Sequence, residues 1–229
     1  MVRKKERPKQ THDDKTKILI VDDHPIVRQG LAELINHEQD LTVCGQAEDA
    51  LEALRIIKKM KPNMVIVDIS LKETSGLELI KDLGVRYAHL PVLALSMHDE
   101  SLYAERALRA GAKGYIMKAE ATENVVTAIR KVLSGHMYVS DKMAAKMVRK
   151  LVGGKRETGA SAIERLSDRE LEVFSFIGQG CGTRQIAERL HLSVKTIETY
   201  RAHIKEKLNL ADANELLQHA IQWVRHQDK

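Results

Sequence analysis

ILIVDD, from Ile18 to Asp23, is the most informative segment of this 229-residue chain. Its four apolar residues, three of them β-branched, are typical of a strand that is buried on both faces of a parallel sheet. Two carboxylates follow directly after the apolar residues. Further apolar runs along the chain also end at polar residues. They cover residues 65–67 before Asp68, 92–95 before Ser96 and 115–117 before Lys118, with a weaker run at 41–44.

Amphipathic helical patterns fill the segments between these apolar runs. Apolar residues recur there at spacings of three and four, for example at Val27, Leu31 and Leu34. Strand and helix alternate five times in about 120 residues, which predicts a doubly wound α/β domain with right-handed crossovers. We place this domain at residues 17–135.

The polar residues at the strand ends are expected to share one edge of the sheet. Ligands of such sheets bind where the strand order reverses, and strands one and three flank that point in the common order 2-1-3-4-5. Asp22, Asp23 and Asp68 would therefore form a carboxylate cluster, which repels itself unless it binds a cation or retains a proton. Oxygen ligands in a half-open site suit Mg²⁺. A divalent ion can organise phosphoryl transfer onto a carboxylate, and Ser96 and Lys118 could donate to phosphoryl oxygens.

A second unit, residues 166–229, is predicted to be all-helical. Ser167 and Glu170 form a capping-box pattern, and Thr183 and Ser193 are interpreted as caps of the next two helices. Two short helices joined by a tight turn are typical of a helix-turn-helix. The later helix presents polar side chains that could contact double-stranded DNA, although a merely solvated face is the alternative. They are Lys195, Thr196, Glu198, Thr199, Arg201, His203 and Lys205, and we add Thr183 and Ser193 as further candidate DNA contacts.

The remaining segments are interpreted as a tail and a joint. Residues 1–16 are basic and polar and predict a flexible tail. Residues 136–165 predict a helical joint, with Ser140 as the cap and Met143 and Met147 on one apolar face. The glycine pair at 153–154 would end this helix, and the polar residues 155–162 predict a flexible linker.

Charge and composition narrow the class of protein. Basic and acidic residues number 7 and 3 in residues 1–17, 14 and 17 in 18–140, and 16 and 12 in 141–229, for a net charge of +5. An acidic block between basic flanks indicates two units with different partners. No apolar run approaches about 18 residues, so no membrane contact is expected. The two cysteines, Cys44 and Cys181, favour a reducing cytoplasm over a disulfide framework.

Several motifs in the first unit are specific enough to indicate a family. They are VDDHP at 21–25, DI at 68–69, SGLE at 75–78, LS at 95–96 and GAKGY at 111–115, with Lys118 following. Together they resemble the receiver domain of two-component response regulators. The resemblance implies a five-stranded sheet of order 2-1-3-4-5 and a role for each residue at its edge. Asp68 would accept a phosphoryl group from the phosphohistidine of a sensor histidine kinase.

The same resemblance implies a set of ligands and switch residues around Asp68. Asp22 and Asp23 would hold Mg²⁺ together with the Asp68 carboxylate and the backbone carbonyl of Ser70. Lys118 would pair with the phosphoryl oxygens. The side chains implied to rearrange on phosphorylation are Ser96, which would bond the phosphoryl group, and Tyr115, which would turn inward behind it. Simple packing is the alternative for Tyr115, since tyrosine is common in strands.

The second unit also carries family motifs. They are LSDRELEV at 166–173, Gly180, IA at 186–187, Leu190, SVKTI at 193–197 and KL at 207–208. These motifs resemble a LuxR-type DNA-binding domain, and both units together resemble the NarL/FixJ class of response regulators. The resemblance implies that the last helix forms a dimer contact on DNA. Glu198 departs from the family pattern, because lysine is frequent at that position.

The combined prediction is a cytoplasmic, phosphorylation-dependent transcription regulator that forms a homodimer when phosphorylated or bound to DNA. The alternative from the enzyme class is an Mg²⁺-dependent phosphohydrolase built on Asp68. No separate general acid or base is evident beside Asp68, so only slow self-dephosphorylation is expected. A third interpretation is an interaction protein without phosphate control. The intact set of acidic pair, acceptor, hydroxyl and lysine argues against it.

Overall fold

Five parallel strands form the sheet of the N-terminal domain in the order β2-β1-β3-β4-β5, which confirms the predicted fold class and strand order. The structure is a computed structural model that describes residues 15–71, 75–97, 100–152 and 162–227. The strands are β1 (Thr16–Val21), β2 (Leu41–Ala47), β3 (Met64–Asp68), β4 (Val92–Ser96) and β5 (Gly114–Met117).

Helices cover both faces of this sheet. They are α1 (Pro25–His37), α2 (Ala50–Met60), α3 (Gly76–Arg86), α4 (Glu100–Ala110) and α5 (Lys118–Leu133). Because side chains alternate along a strand, Ile18 and Ile20 share a core with α1 and α5, whereas Leu19 and Val21 face α2, α3 and α4. All four side chains are fully buried, as the apolar run predicts for a strand between two helical layers.

Gly76 lets helix α3 begin directly against the end of β3. A methyl group at this position would lie 1.9 Å from the carbonyl oxygen of Asp68 and 2.7 Å from Cα of Ile69. No side chain can occupy that space without moving the backbone. A glycine at this position therefore allows α3 to lie close to Asp68, the residue that ends β3.

The C-terminal domain is helical, as predicted. Helix α6 (Asp141–Val152) precedes a short 3₁₀ helix (Ala162–Arg165), α7 (Asp168–Gly178), α8 (Thr183–Arg189), α9 (Val194–Leu208) and α10 (Ala213–Gln227). The Ser140 cap is confirmed, because Oγ of Ser140 accepts from the amide of Met143 at 3.1 Å. The proposed tail falls mostly on residues 1–14, and the proposed linker mostly on 153–161, which lie outside the described residues.

Two of the three predicted caps in this domain are correct. Ser167 and Glu170 form the capping box, with the Ser167 amide donating to Glu170 Oε2 at 2.6 Å. Ser193 caps α9 by accepting from the amide of Thr196 at 3.0 Å. The Thr183 prediction is wrong, because Gly182 is the N-cap residue of α8 and Thr183 is already helical. The Gly182 amide donates to Oε1 of Gln185 at 2.9 Å, so a side chain satisfies a backbone group at the start of α8 without a threonine cap.

Glu170 also joins two helices of the C-terminal domain, which its capping role did not predict. Its side chain is 4% exposed, and Oε2 lies 2.6 Å from Nζ of Lys207 on α9. Burial by itself would raise the pKa of Glu170, but hydrogen bonds from Lys207 and Ser167 outweigh burial, and the pKa lies below its ordinary value. The capping carboxylate therefore fixes the position of α9 relative to α7.

Glu170→Gln is expected to lower the free energy of unfolding at neutral pH by about 1 kcal/mol, because the amide keeps the cap but loses the ion pair. A carboxyl whose folded pKa is lowered stabilises above its unfolded pKa and loses that contribution as pH falls through the folded value. The gap between wild type and variant should therefore close below the ordinary value of 4.5. Urea unfolding across pH measures it, with the exposed Glu206→Gln as control. A gap that persists at low pH would contradict the ion-pair explanation.

None of the helices in the described ranges is both long enough and apolar enough to cross a membrane.

Candidate functional site

Three carboxylates meet at the carboxyl edge of the sheet, where β1 and β3 end side by side. Val21 pairs with Val67 in the register of these strands, so Asp22 and Asp23 on one strand end lie beside Asp68 on the other. All three side chains are buried, with exposures of 0%, 7% and 1% in that order. The structure therefore brings together the cluster that the sequence predicts.

Lys118 lies between two of these carboxylates. Its Nζ is 2.7 Å from Oδ2 of Asp22 and 2.7 Å from Oδ2 of Asp68, and the side chain is 6% exposed. Burial by itself would lower the pKa of Lys118, but the two carboxylates outweigh burial and the pKa is raised. Lys118 is therefore a cation held in the site by Asp22 and Asp68.

One lysine does not neutralise three buried carboxylates. Burial, with a further contribution from the charge of Asp22, raises the pKa of Asp68 to about 6, although Lys118 and the Ser70 amide oppose the shift. The Ser70 amide donates to Oδ1 of Asp68 at 3.1 Å. The raised pKa reflects mainly the cost of burying the charged carboxylate, which Lys118 and the Ser70 amide only partly offset.

The residues at this edge fit a magnesium ion. The donors are carboxylate oxygens, which a hard divalent cation prefers. Among the described residues, the buried Oδ1 of Asp23 and Oδ2 of Asp22 have no partner with hydrogen-bond geometry. Each lies within ion-pair distance of a basic side chain, His24 for Asp23 and Lys118 for Asp22. Such oxygens have lone pairs that a metal could use. The role of the Ser70 carbonyl as a ligand stays a prediction.

Ser96 and Tyr115 lie on β4, which pairs with β3, and on β5, the edge strand beyond it. Ser96 ends β4 and is fully buried, and its strand partner is Met117, the residue before Lys118. Tyr115 on β5 is 1% exposed and belongs to the same core as α4. The structure thus places the predicted hydroxyl at the carboxylate edge and the predicted tyrosine inside the core.

His24 is a site residue that the analysis of spacing did not single out. Its Nδ1 lies 2.8 Å from Oδ1 of Asp23 and 3.1 Å from Oδ1 of Asp22. Nζ of Lys118 is 3.5 Å away from the same nitrogen. In the sequence His24 belongs to the VDDHP motif at 21–25, but neither the motif nor its spacing assigned it a role.

Helix α9 carries most of the predicted DNA contacts on one side. Exposed residues alternate with half-buried ones around the fully buried Ile197 and Ile204. The exposed candidates are Ser193, Lys195, Glu198, Thr199 and His203, and the half-buried ones are Thr183, Thr196, Arg201 and Lys205. Some hydroxyls are already bonded within the protein, since Thr199 donates to the Lys195 carbonyl at 3.0 Å and the Ser193 and Thr196 hydroxyls lie 2.8 Å apart.

The two domains are joined by a set of polar contacts that we call the α4–α7 clamp. Arg106 on α4 donates to Oδ1 of Asp168 at 2.8 Å and to the carbonyl oxygens of Leu166 at 2.9 Å and Ile163 at 3.4 Å. Lys81 on α3 lies 3.4 Å from Oδ2 of Asp168. Because Arg106 and Asp168 are only 19% and 21% exposed, this ion pair is partly protected from solvent.

Buried groups lie next to the clamp. Tyr103 on α4 is 4% exposed and Glu172 on α7 is 7% exposed. Burial raises the pKa of Glu172, and the negative charge of Asp68 raises it further, whereas Arg169 lowers it. The direct partner of Glu172 is Arg169, whose Nη1 lies 2.8 Å from Oε2, and the Asp68 charge contributes less to the shift.

An α/β domain with a buried acidic site, coupled to a helix-turn-helix, defines a signal-receiving DNA-binding regulator. Family models agree with this class: residues 18–130 match the response regulator receiver domain, and residues 164–220 match the bacterial regulatory proteins of the luxR family. The chain belongs to the two-component response regulators of the NarL/FixJ type, with a luxR-type DNA-binding domain. It is a phosphorylation-dependent transcription regulator, not a classical enzyme.

Individual relatives match between 60% and 90% of the chain. The oxygen regulatory protein NreC of Staphylococcus carnosus (strain TM300) is 36% identical over 209 residues, which are 90% of this chain and 96% of NreC. A LuxR-family response regulator from Aurantimonas sp. SI85-9A1 is 33% identical with a TM-score of 0.56, over 60% of this chain and 99% of that one. RcsB from Salmonella enterica serovar Typhimurium, bound to promoter rprA with the phosphomimetic BeF3−, shares the fold at 24% identity and a TM-score of 0.59, over 90% and 98%.

Proposed function

We propose that Asp68 accepts a phosphoryl group from a sensor histidine kinase and that this shifts the protein toward a dimer bound to DNA. The observation that carries the proposal is the buried Asp68 carboxylate between Lys118 and the acidic pair Asp22 and Asp23. We further propose that the receiver spans residues 17–135, the joint 136–165 and the DNA-binding domain 166–229. DNA is a cytoplasmic partner in bacteria, and we infer the same compartment for this protein.

The proposed transfer uses a carboxylate oxygen of Asp68 as the nucleophile. A P–O bond to Asp68 forms as the P–N bond of the phosphohistidine breaks, and the imidazole nitrogen of the kinase recovers the electron pair. Magnesium, held by Asp22, Asp23 and Asp68, would neutralise charge on the phosphoryl oxygens. Lys118 already contacts Oδ2 of Asp68 at 2.7 Å and would follow the new phosphoryl oxygens as an ion-pair partner.

Ser96 would respond to the new charge by donating its hydroxyl to a phosphoryl oxygen. Tyr115 is already buried on β5, so the inward turn that the resemblance implies would already be complete before phosphorylation. Beyond the transfer itself, we propose only slow self-dephosphorylation, because the sequence pattern assigns no separate general acid or base to Asp68.

We propose that the exposed side of α9 enters the major groove of double-stranded DNA. Lys195, Arg201 and Lys205 would hold phosphates, whereas Glu198 and Thr199 would contact bases. Equal numbers of basic and acidic residues, ten of each, occupy residues 161–229, so the net charge of this domain does not attract DNA. The interaction would therefore depend on the basic side chains of α9. Dimers should prefer half-sites related by two-fold symmetry.

The α4–α7 clamp supports a particular form of the switch. Lys195, Glu198 and Thr199 are exposed while the clamp is closed, so the receiver does not need to uncover them. The clamp would instead hold the DNA-binding domain in one orientation, which hinders two copies from aligning on paired half-sites. Phosphorylation adds negative charge at Asp68, which would repel the buried Glu172 and favour release.

Measuring the effect of a small phosphodonor on the wild-type protein tests the proposal. In the presence of Mg²⁺ and acetyl phosphate, we expect the mass in solution to shift from monomer toward dimer and the affinity for DNA to rise. The DNA is obtained by selecting binders from a duplex pool of random sequence, in which paired half-sites should be enriched. An unchanged mass and affinity after phosphoryl uptake would overturn the switch.

Glu198→Ala is expected to change which base is selected at one position of each half-site, because a glutamate can accept from cytosine N4. Lys195→Ala should weaken binding to all sequences alike and reduce the salt slope by about one, because it removes one phosphate contact. Selections from the same random pool compare the two variants, with Glu206→Ala as an exposed acidic control on α9. Equal weakening of every sequence by Glu198→Ala would exclude base recognition.

A further inference from the structure

His24 places an imidazole nitrogen against the carboxylate cluster. Its Nδ1 is 2.8 Å from Oδ1 of Asp23 and 3.1 Å from Oδ1 of Asp22. Ligand atoms of Asp22, Asp23, His24 and Asp68 all lie within 4.8 Å of one another. The nitrogen is therefore close enough to the carboxylates to share an ion with them, in a space that Nζ of Lys118 also borders at 3.5 Å from Nδ1.

Local structure holds the ring at this position. His24 is the N-cap residue of α1, its side chain makes no capping bond, and its backbone amide donates to Oδ1 of Asp22 at 2.7 Å. Pro25 follows as the first helical residue and fixes the start of the helix. The His24 side chain is 59% exposed, so Nε2 can carry the proton toward water while Nδ1 offers its lone pair to an ion.

The nature of the donors determines which ions such a site prefers. Carboxylates suit Mg²⁺ and Mn²⁺, whereas imidazole suits transition ions and contributes little to Mg²⁺. A site of carboxylates alone would distinguish poorly between Mg²⁺ and Mn²⁺. A nitrogen ligand added to the same carboxylates would favour Mn²⁺, and Zn²⁺ more strongly, in the order in which first-row divalent ions bind to nitrogen donors.

The alternative role for His24 is a hydrogen bond. With the proton on Nδ1, the ring would donate to Asp23 or Asp22 and only orient those carboxylates. The two distances fit both roles, but the roles differ in the ion preference that they cause. A ring that only orients carboxylates would support Mg²⁺ and Mn²⁺ alike.

We propose that His24 is a metal ligand that makes the site selective for transition ions over Mg²⁺. This inference rests on the divalent-ion site of the proposed function and adds the choice of ion.

Direct binding measurements on the full chain test the proposal. Mn²⁺ binding is followed by the electron paramagnetic resonance of the free ion, and Mg²⁺ by its displacement of Mn²⁺. His24→Asn keeps an oxygen donor and a good helix cap but removes the nitrogen. We expect it to lower the ratio of Mn²⁺ to Mg²⁺ affinity by about tenfold with Mg²⁺ affinity nearly unchanged. His37→Asn, at the other end of α1, is the matched control and should leave the ratio unchanged.

A spectroscopic signature separates a ligand from a hydrogen-bond donor. Electron spin echo modulation of bound Mn²⁺ should contain the coupling of a directly coordinated nitrogen in the wild type and lose it in His24→Asn. Bound Mn²⁺ without that coupling, or an unchanged affinity ratio, would overturn the proposal but leave the metal site of the proposed function intact. If neither ion binds the wild type, or if Asp23→Asn binds both ions as tightly as the wild type does, the metal site and the His24 proposal both fail.

Discussion

Asp68→Asn is expected to take up no phosphoryl group from acetyl phosphate, and its affinity for DNA should not respond to the donor. The amide nitrogen and oxygen cannot form the acyl phosphate that the carboxylate forms, so the covalent step is lost entirely. The ratio of DNA affinity with donor to affinity without it should fall to about one, because a ligand that does not bind cannot shift an equilibrium.

The structure indicates that this variant will fold. Lys118 keeps Asp22 as an ion-pair partner at 2.7 Å, and the Ser70 amide can donate to the amide oxygen of the new side chain. Removing a buried charge from a group whose pKa is raised to about 6 also relieves an electrostatic cost. Intact-protein mass spectrometry measures phosphoryl uptake directly, and thermal unfolding checks the fold.

Asp82→Asn is the control for this experiment, since Asp82 is a carboxylate of the same domain that pairs with Arg86 at the surface. It should take up the phosphoryl group as the wild type does. Uptake by folded Asp68→Asn at the wild-type level would show that another residue is the acceptor, and the proposed function would then be wrong.

Arg106→Ala is expected to raise the affinity for DNA in the absence of a phosphodonor by roughly 10- to 30-fold, because it opens the α4–α7 clamp. Arg106 donates one hydrogen bond to the end of the joint, at Ile163, and two to the start of the DNA-binding domain, of which the bond to Asp168 is also an ion pair. Charge-assisted hydrogen bonds contribute about 1.5–3 kcal/mol each. Arg106 is partly exposed and can bond to water when the clamp is open, so we expect its removal to destabilise the closed state by only about 2 kcal/mol. A free-energy change of this size gives the stated shift if the closed state predominates at rest.

The DNA affinity of the same variant should rise less with acetyl phosphate than that of the wild type, because more of the variant is already in the open state without the donor. DNA binding with and without donor measures both effects, and small-angle scattering reports whether the domains separate. Arg109→Ala is the matched control, because Arg109 lies on the same helix but pairs within α4, with Glu105. A resting affinity that stays unchanged or falls in Arg106→Ala would show that the clamp does not hold the resting state.

Prediction from the sequence worked best where local patterns have one structural solution. An apolar, β-branched run such as 18–21, followed by a helical pattern, favours a strand between two helical layers, and the structure has this arrangement. The capping residues Ser167 and Ser193 were found for a similar reason, since a hydroxyl before a helix satisfies the amides of the first turn. Thr183 shows the limit of such patterns. Gly182 is the N-cap residue of α8, and Gln185, which lies inside the helix, accepts the hydrogen bond of the Gly182 amide.

The sequence by itself determined the parallel sheet, the helix-turn-helix and the acidic residues at the ends of β1 and β3, because each depends on neighbours close in the chain or on strand order. Only the tertiary structure decided which side chains contact one another within and between those elements. The ring of His24 against Asp23, the bond of Lys207 to Glu170 and the clamp from Arg106 to Asp168 depend on side-chain directions and on distances of 2.6–2.8 Å. Such contacts join segments up to 62 residues apart, and no periodicity or spacing in the sequence encodes them.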